Sequence, residues 1–185
     1  MSFNFKNPSK LFAWYYSLLC PFYGRKFYKK LLKVLELNGD ESILDFGSGA
    51  GVLAKKVIKS LSDNGQLTCL DTSSAFLNKA HKKLKNYDNV EYLLGDIRDL
   101  KVQPNSFDVI ISTWVIHHIS PEDRKEIIEE FASTLKQNGR ILLIEYCKKP
   151  HGISEDEVLE LFNNAFLKIS NKHQEKNTVL YEFRK

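Results

Sequence analysis

Asp45 stands two residues ahead of three glycines at alternate positions, Gly47, Gly49 and Gly51. Glycine permits a sharp turn and leaves a bare backbone that a ligand can approach closely. The dinucleotide fingerprint G-x-G-x-x-G is spaced differently, and no Gly-Lys-Ser/Thr follows as in a phosphate-binding loop. An acid at the mouth of such a loop repels a diphosphate and suits a ligand with a cationic amino group. A second acid, Asp71, lies 20 residues after Gly51, where nucleotide-binding sheets set a carboxylate against ribose hydroxyls. Two vicinal hydroxyls donating to one carboxylate make charge-assisted hydrogen bonds. Farther on, His117 and His118 are adjacent. Imidazole is the natural base near neutral pH for a hydroxyl or a protonated amine. Neighbouring side chains point in different directions, so at least one of the pair is expected to be structural, and His151 is a weaker candidate.

Elements with β-α alternation must position these residues. The run Ile43–Phe46 reads as a strand, the glycines as a tight turn, and Val52, Leu53, Val57, Ile58 and Leu61 as one face of a following helix, with its free N–H groups aimed at the ligand. Strands are expected at 66–70, 90–94, 106–112 and 140–146. Ser73 or Ser74 caps a helix burying Phe76, Leu77, Ala80 and Leu84. Ser120-Pro121 opens another that buries Ile127, Ile128, Phe131 and Leu135 and ends at Asn138-Gly139. Ser154-x-x-Glu157 is a capping box for a helix through Phe166, and two β-like runs, 166–170 and 178–183, close the chain as a hairpin. Such alternation gives an α/β fold with a mostly parallel, doubly wound sheet and right-handed crossovers. Ligands of such sheets sit outside the carboxyl ends of the strands.

The run from Ile43 to Leu53 resembles the glycine-rich motif of class I S-adenosylmethionine-dependent methyltransferases, and the resemblance extends along most of the chain. It implies a Rossmann-like sheet of seven strands in the order 3-2-1-4-5-7-6, the seventh antiparallel, with helices on both faces. It also implies S-adenosyl-L-methionine as cofactor and S-adenosyl-L-homocysteine as product. By this resemblance Asp45, Gly47, Ser48, Gly49, Gly51, Asp71, Thr72 and Ser112 belong to the cofactor site. Asp96 is matched to the acid that takes the adenine amino group, and Ile97 to the residue whose N–H meets a ring nitrogen. Phe76 falls where an apolar residue flanks adenine, although helix packing explains it equally well. The segment Thr113–Ile119 looks like the region after strand four of small-molecule methyltransferases, which commonly carries a histidine pair. His117 or His118 is then the candidate base, with Tyr16 as a tyrosine that could bond it, as in some related amine methyltransferases. No Asp, Glu or Cys lies at ligand spacing to the pair, so no metal is expected.

Composition narrows the remaining classes. At 185 residues, 43% apolar and 27% charged, the chain reads as one soluble globular domain, with a helical segment at 1–38 and a cofactor-binding core at 39–185. Net charge is +4, but the lysines are spread among acids rather than gathered in a stripe, so nucleic acid is a poor partner. The three cysteines form no CxxC pattern, which suggests reduced thiols and a cytoplasmic location. No G-x-S-x-G elbow occurs. The first 38 residues are rich in Phe, Trp and Tyr, and Pro21 separates two expected helices: the second, near Phe22 to Leu37, reads as packing on the sheet, and the first as a lid over the site or, less readily, as a peripheral membrane contact. The expected activity is methyl transfer to a small-molecule or lipid-like acceptor, in the manner of quinone-biosynthesis and phospholipid or amine methyltransferases. The alternatives are a catalytically inactive cofactor-binding scaffold and an RNA or protein methyltransferase. The second is disfavoured because Ser112-Thr113-Trp114-Val115 stands where amino-group nucleic-acid methylation uses an Asn/Asp-Pro-Pro-aromatic run.

Overall fold

The computed structural model describes residues 26–148 and 150–185. These form two compact units, one ending at Asp96 and the other running from Ile97 to Lys185. In the first, helix α1 (residues 26–35) buries Tyr28, Leu31 and Leu35, three and four residues apart as one helix face requires. Strands β1 (Ser42–Phe46), β2 (Gln66–Asp71) and β3 (Val90–Leu94) pair in parallel. Between them lie α2 (Ala54–Val57) and α3 (Ser74–Leu84). Ser73 caps α3 by accepting from the Phe76 N–H, and Phe76, Leu77, Ala80 and Leu84 form its buried face.

The helix after the glycine loop is shorter than its apolar spacing predicts. It makes one α-turn, tightens into a 3₁₀ turn at Ile58–Ser60, and Leu61 is already extended. The reason is local competition: the Ser62 N–H and hydroxyl both donate to the Gly39 carbonyl, at 2.7 and 2.9 Å. A further helical turn would forfeit both bonds.

In the second unit β4 (Phe107–Thr113) pairs in parallel with β5 (Leu135–Tyr146). Helix α4 (Pro121–Thr134) lies between them in sequence, and α5 (Glu155–Asn164) follows. Strands β6 (Lys168–Glu175) and β7 (Thr178–Arg184) form the hairpin, β7 antiparallel to both β5 and β6. The strand order is β3-β2-β1-β4-β5-β7-β6, as the resemblance implied. Residues Ile141 to Ile144 are fully buried, as expected of a strand covered on both faces.

Two helix ends differ from the sequence reading. Helix α4 stops at Thr134, not Asn138, because the N–H groups of Asn105 and Ser106 take the Ser133 and Thr134 carbonyls at 3.1 and 2.8 Å. Leu135 is thereby drawn out of the helix and into register with Phe107. Helix α5 stops at Asn164. Phe166 N–H bonds Asn163 O, Leu167 N–H bonds Phe162 O, and Phe166 itself has φ +60°. This is a Schellman closure whose left-handed position, normally glycine, holds a phenylalanine that is 85% exposed. Among the described residues no helix is long and apolar enough to cross a membrane.

Because Phe166 carries backbone strain while burying almost nothing, Phe166→Gly is expected to stabilise the protein by about 0.5–1 kcal/mol. A urea denaturation midpoint that moves down instead would show that the ring makes a compensating contact.

Candidate functional site

The three glycines after β1 all have left-handed backbones, with φ of +69° at Gly47, +54° at Gly49 and +68° at Gly51. Neighbouring strand β2 holds this loop: Leu70 O accepts from Gly47 N–H and Ser48 N–H at 2.8 and 3.0 Å. The Asp71 carboxylate then accepts from Gly49 N–H through Oδ2 and from Ser73 N–H through Oδ1, both at 2.8 Å. The glycines do different work. A Cβ on Gly51 would come within 3.0 Å of Ala80 in α3, so this residue lets the loop rest on the helix. A Cβ on Gly49 would meet nothing within 4 Å among the described residues, so these leave the crest of the loop open. Helix α2 is too short to serve as the helix terminus expected from the sequence, and the loop N–H groups of Gly47, Ser48, Gly49 and Gly51 are already taken within the chain.

Beside this loop are polar groups without partners. Asp45 Oδ2 and Ser48 Oγ are buried and find no geometrically sound hydrogen bond among the described residues, although the Cys69 thiol adjoins the serine. Burial, and secondarily the charge of Asp71, push the Asp45 carboxyl up to about 7. Burial also raises Asp71, opposed by its bonds from the Ser73 and Gly49 N–H groups. Asp96 is half-buried and follows Gly95, whose N–H bonds Asp71 O at 3.2 Å. Thr72 is exposed, whereas Phe76 is buried against Ala50 and Ala75, under the loop. An open glycine crest and an unspent buried carboxylate fit a ligand that brings an ammonium and hydroxyls, as S-adenosylmethionine does.

In the second unit Ile97 is buried, and the fully buried Ser112 hydroxyl has no partner among the described residues. Past β4 the chain turns through Trp114, a left-handed residue with φ +56° whose N–H bonds Ile144 O at 2.7 Å. The next three residues converge on one group that sequence reasoning missed, Glu145. This side chain is fully buried. Its Oε1 accepts from Val115 N–H at 3.0 Å and Ile116 N–H at 2.7 Å, and its Oε2 lies 2.5 Å from His117 Nδ1. The sequence signal was present: Glu145 follows the apolar run Ile141–Ile144, and a buried acid in that setting needs partners. No ligand-type spacing could reveal the pair, because 28 residues separate them.

His117 and His118 stack with ring centroids 3.9 Å apart. His117 is nearly enclosed, whereas His118 keeps an exposed surface. Partial burial, then the neighbouring His117, lower the His118 pKa below the usual imidazole range. Arg124 of α4 clamps the same segment, donating from Nε to Ile119 O at 3.0 Å and from Nη2 to His117 O at 3.4 Å. It also pairs with Glu157 of α5. Glu157 therefore does not complete the expected capping box, and only the Ser154 half forms. His151 is exposed after β5. Tyr16 and the aromatic lid or membrane contact lie outside the described residues.

Asp71→Ala should weaken S-adenosylmethionine binding by about 1.5–3 kcal/mol, since it removes the charged acceptor that pins the loop and that the sequence sets against the ribose hydroxyls. Calorimetry showing unchanged affinity would remove Asp71 from the site. A pH effect follows from Asp45. Its folded value, about 7, exceeds the ordinary 3.8, so between these values the folded chain holds a proton that the unfolded chain has lost. Its contribution to stability therefore falls as pH rises through that window. Denaturation midpoints measured from pH 4.5 to 8 should decline less steeply in Asp45→Asn than in the native chain.

A family model for a methyltransferase domain matches residues 43–139. The demethylmenaquinone methyltransferase of Thermotoga maritima is 33% identical over 112 residues, 60% of this chain and 46% of that protein. The phosphoethanolamine N-methyltransferase of Plasmodium falciparum is 27% identical over 132 residues, 71% of this chain and 49% of that protein. The chain thus spans about half the length of the curated relatives it matches. Among solved structures, an S-adenosylmethionine-dependent methyltransferase from Aquifex aeolicus superposes with a TM-score of 0.75 at 22% identity, covering 84% of this chain and 88% of that one. That likeness speaks for the fold. With the family match spanning more than half of its length and the strand order in agreement, the chain belongs to the class I S-adenosylmethionine-dependent methyltransferases.

Proposed function

We propose that this protein transfers a methyl group from S-adenosylmethionine to a small-molecule or lipid-like acceptor. The observation that carries the reading is the bond from Gly49 N–H to Asp71 beneath a glycine that no described residue covers. A carboxylate has about four lone-pair sites. Asp71 spends one on Gly49 and one on Ser73, which leaves two for a pair of vicinal hydroxyls. Asp45 Oδ2 is available to an ammonium, and an ammonium would favour its ionised form. In this reading Gly47, Ser48 and Gly51 shape the cradle, Asp96 and Ile97 take the adenine edge, and Ser112 offers a further hydroxyl. Thr72 and Phe76 stand at the margin, the second as packing beneath the loop.

When bound, the cofactor supplies an electrophilic methyl group on a sulfonium. The protein's part is to orient the acceptor, an effect worth about 7–11 kcal/mol when the alignment is good, and to take a proton where the acceptor carries one. His117 is the base in this proposal. The class of acceptor is supported by the names of the two relatives above, a demethylmenaquinone methyltransferase and a phosphoethanolamine N-methyltransferase. The short connection from β5 to α5, residues 147–154, leaves the second unit without an inserted recognition domain there.

The test is transfer of label from methyl-labelled S-adenosylmethionine with phosphoethanolamine, a reduced demethylmenaquinone and bulk RNA offered separately. Label is expected in one of the two small acceptors. Label confined to RNA or to protein would overturn the small-molecule reading, and failure to bind the cofactor by calorimetry would overturn the whole of it.

A further inference from the structure

We propose that Glu145 is a positioning residue that makes His117, through Nε2, the base of the reaction, and that the acceptor is therefore a nucleophile arriving with a proton on oxygen or nitrogen. The inference rests on the methyl-transfer reading and deepens it. A carboxylate can only accept, so the short contact from Oε2 to His117 Nδ1 requires the proton to be on Nδ1. In the neutral ring that leaves the lone pair on Nε2. The acceptor's proton then moves to that lone pair, its bonding electrons stay on the acceptor's oxygen or nitrogen, and Nδ1–H remains on Glu145. The resulting imidazolium is stabilised by the same carboxylate.

Two features separate this role from simple capping of the turn. Glu145 already satisfies both backbone N–H groups with Oε1 alone; Oε2 is spent on the ring and does nothing for the backbone. The ring is also over-determined. The strained Trp114 sets the turn, Ile144 O and Glu145 hold it from β5, and Arg124 holds the carbonyls of His117 and Ile119 from α4. Such convergence maintains a single orientation for His117. The stacked His118 has its proton affinity lowered by burial and by His117, which makes it the poorer base.

Glu145→Gln separates the possibilities. The amide oxygen can keep both backbone bonds, which fixes the amide orientation and aims the NH₂ at His117 Nδ1. The turn survives, but the ring must now accept at Nδ1 and carry its proton on Nε2. Long-range proton–nitrogen NMR on histidine-labelled protein, assigned with a His117→Asn variant, reads the tautomer directly. The native protein is expected to show Nδ1–H and bare Nε2, Glu145→Asp to retain that state, and Glu145→Gln to invert it. With whichever small acceptor takes label, Glu145→Gln should lower kcat by about 100-fold or more while cofactor affinity stays within about twofold. Protonated Nε2 in native neutral His117, or a tautomer that Glu145→Gln leaves unchanged, overturns the proposal. If Glu145→Gln does not fold, the native tautomer alone decides. Because that measurement needs no acceptor, failure of transfer to both small molecules counts against the functional reading and not against the dyad.

Discussion

A chain that turns out of a parallel strand leaves N–H groups that no ladder can satisfy, and the site is built from the way those groups are taken up. The same solution occurs twice. At the end of β1, Phe46 is in register with Leu70; Leu70 O takes the next two N–H groups, and the following residue, Asp71, takes Gly49 with its side chain. At the end of β4, Thr113 is in register with Ile144; Ile144 O takes the next N–H, and the following residue, Glu145, takes Val115 and Ile116. In both cases a carbonyl and then an acid, one residue beyond the last pair, pin the departing loop. Charge-assisted bonds suit this purpose because they are shorter and stronger than neutral ones.

This arrangement explains why the pinning acid of the first unit was legible in the sequence and that of the second unit was not. Asp71 follows a glycine loop by a spacing tied to a single β-α-β unit, and that unit has a nearly constant length. Glu145 acts on residues across an entire helix from it, so its partnership depends on the register of β5 against β4. That register depends in turn on where α4 stops. The sequence reading carried α4 through Leu135 toward Asn138, since the apolar spacing continues to Leu135. The competing N–H groups of Asn105 and Ser106 end it at Thr134. Strands β2 and β3 and the buried face of α3 were readable because their patterns are local. Helix α2 was misjudged because Gly39, distant in sequence, captures Ser62. What sequence periodicity lacked in each case was a backbone hydrogen bond made over a long separation.

The histidine pair shows the same limit at the level of chemistry. Two adjacent residues of one type are equivalent in the sequence, and only their surroundings distinguish them. His117 faces a buried carboxylate and is nearly enclosed, whereas His118 keeps solvent contact. A fully buried acid is costly unless its oxygens are paired. The three donors gathered on Glu145 are what make its place after the buried run Ile141–Ile144 tolerable.

Glu145 and Asp45 are both buried acids near the ends of parallel strands, and they differ in one respect that bears on function. Glu145 has used both oxygens within the protein, so its geometry is settled before anything binds. Asp45 Oδ2 has no partner among the described residues, and burial, with the charge of Asp71, raises its pKa. A saturated carboxylate acts as framework, because adding a ligand to it would mean breaking bonds already made. An unsaturated one keeps lone pairs for an incoming donor, and a cation favours its ionised form most. By that criterion the glycine-loop end of the chain is arranged to receive a ligand, and the histidine end to hold a side chain in one orientation.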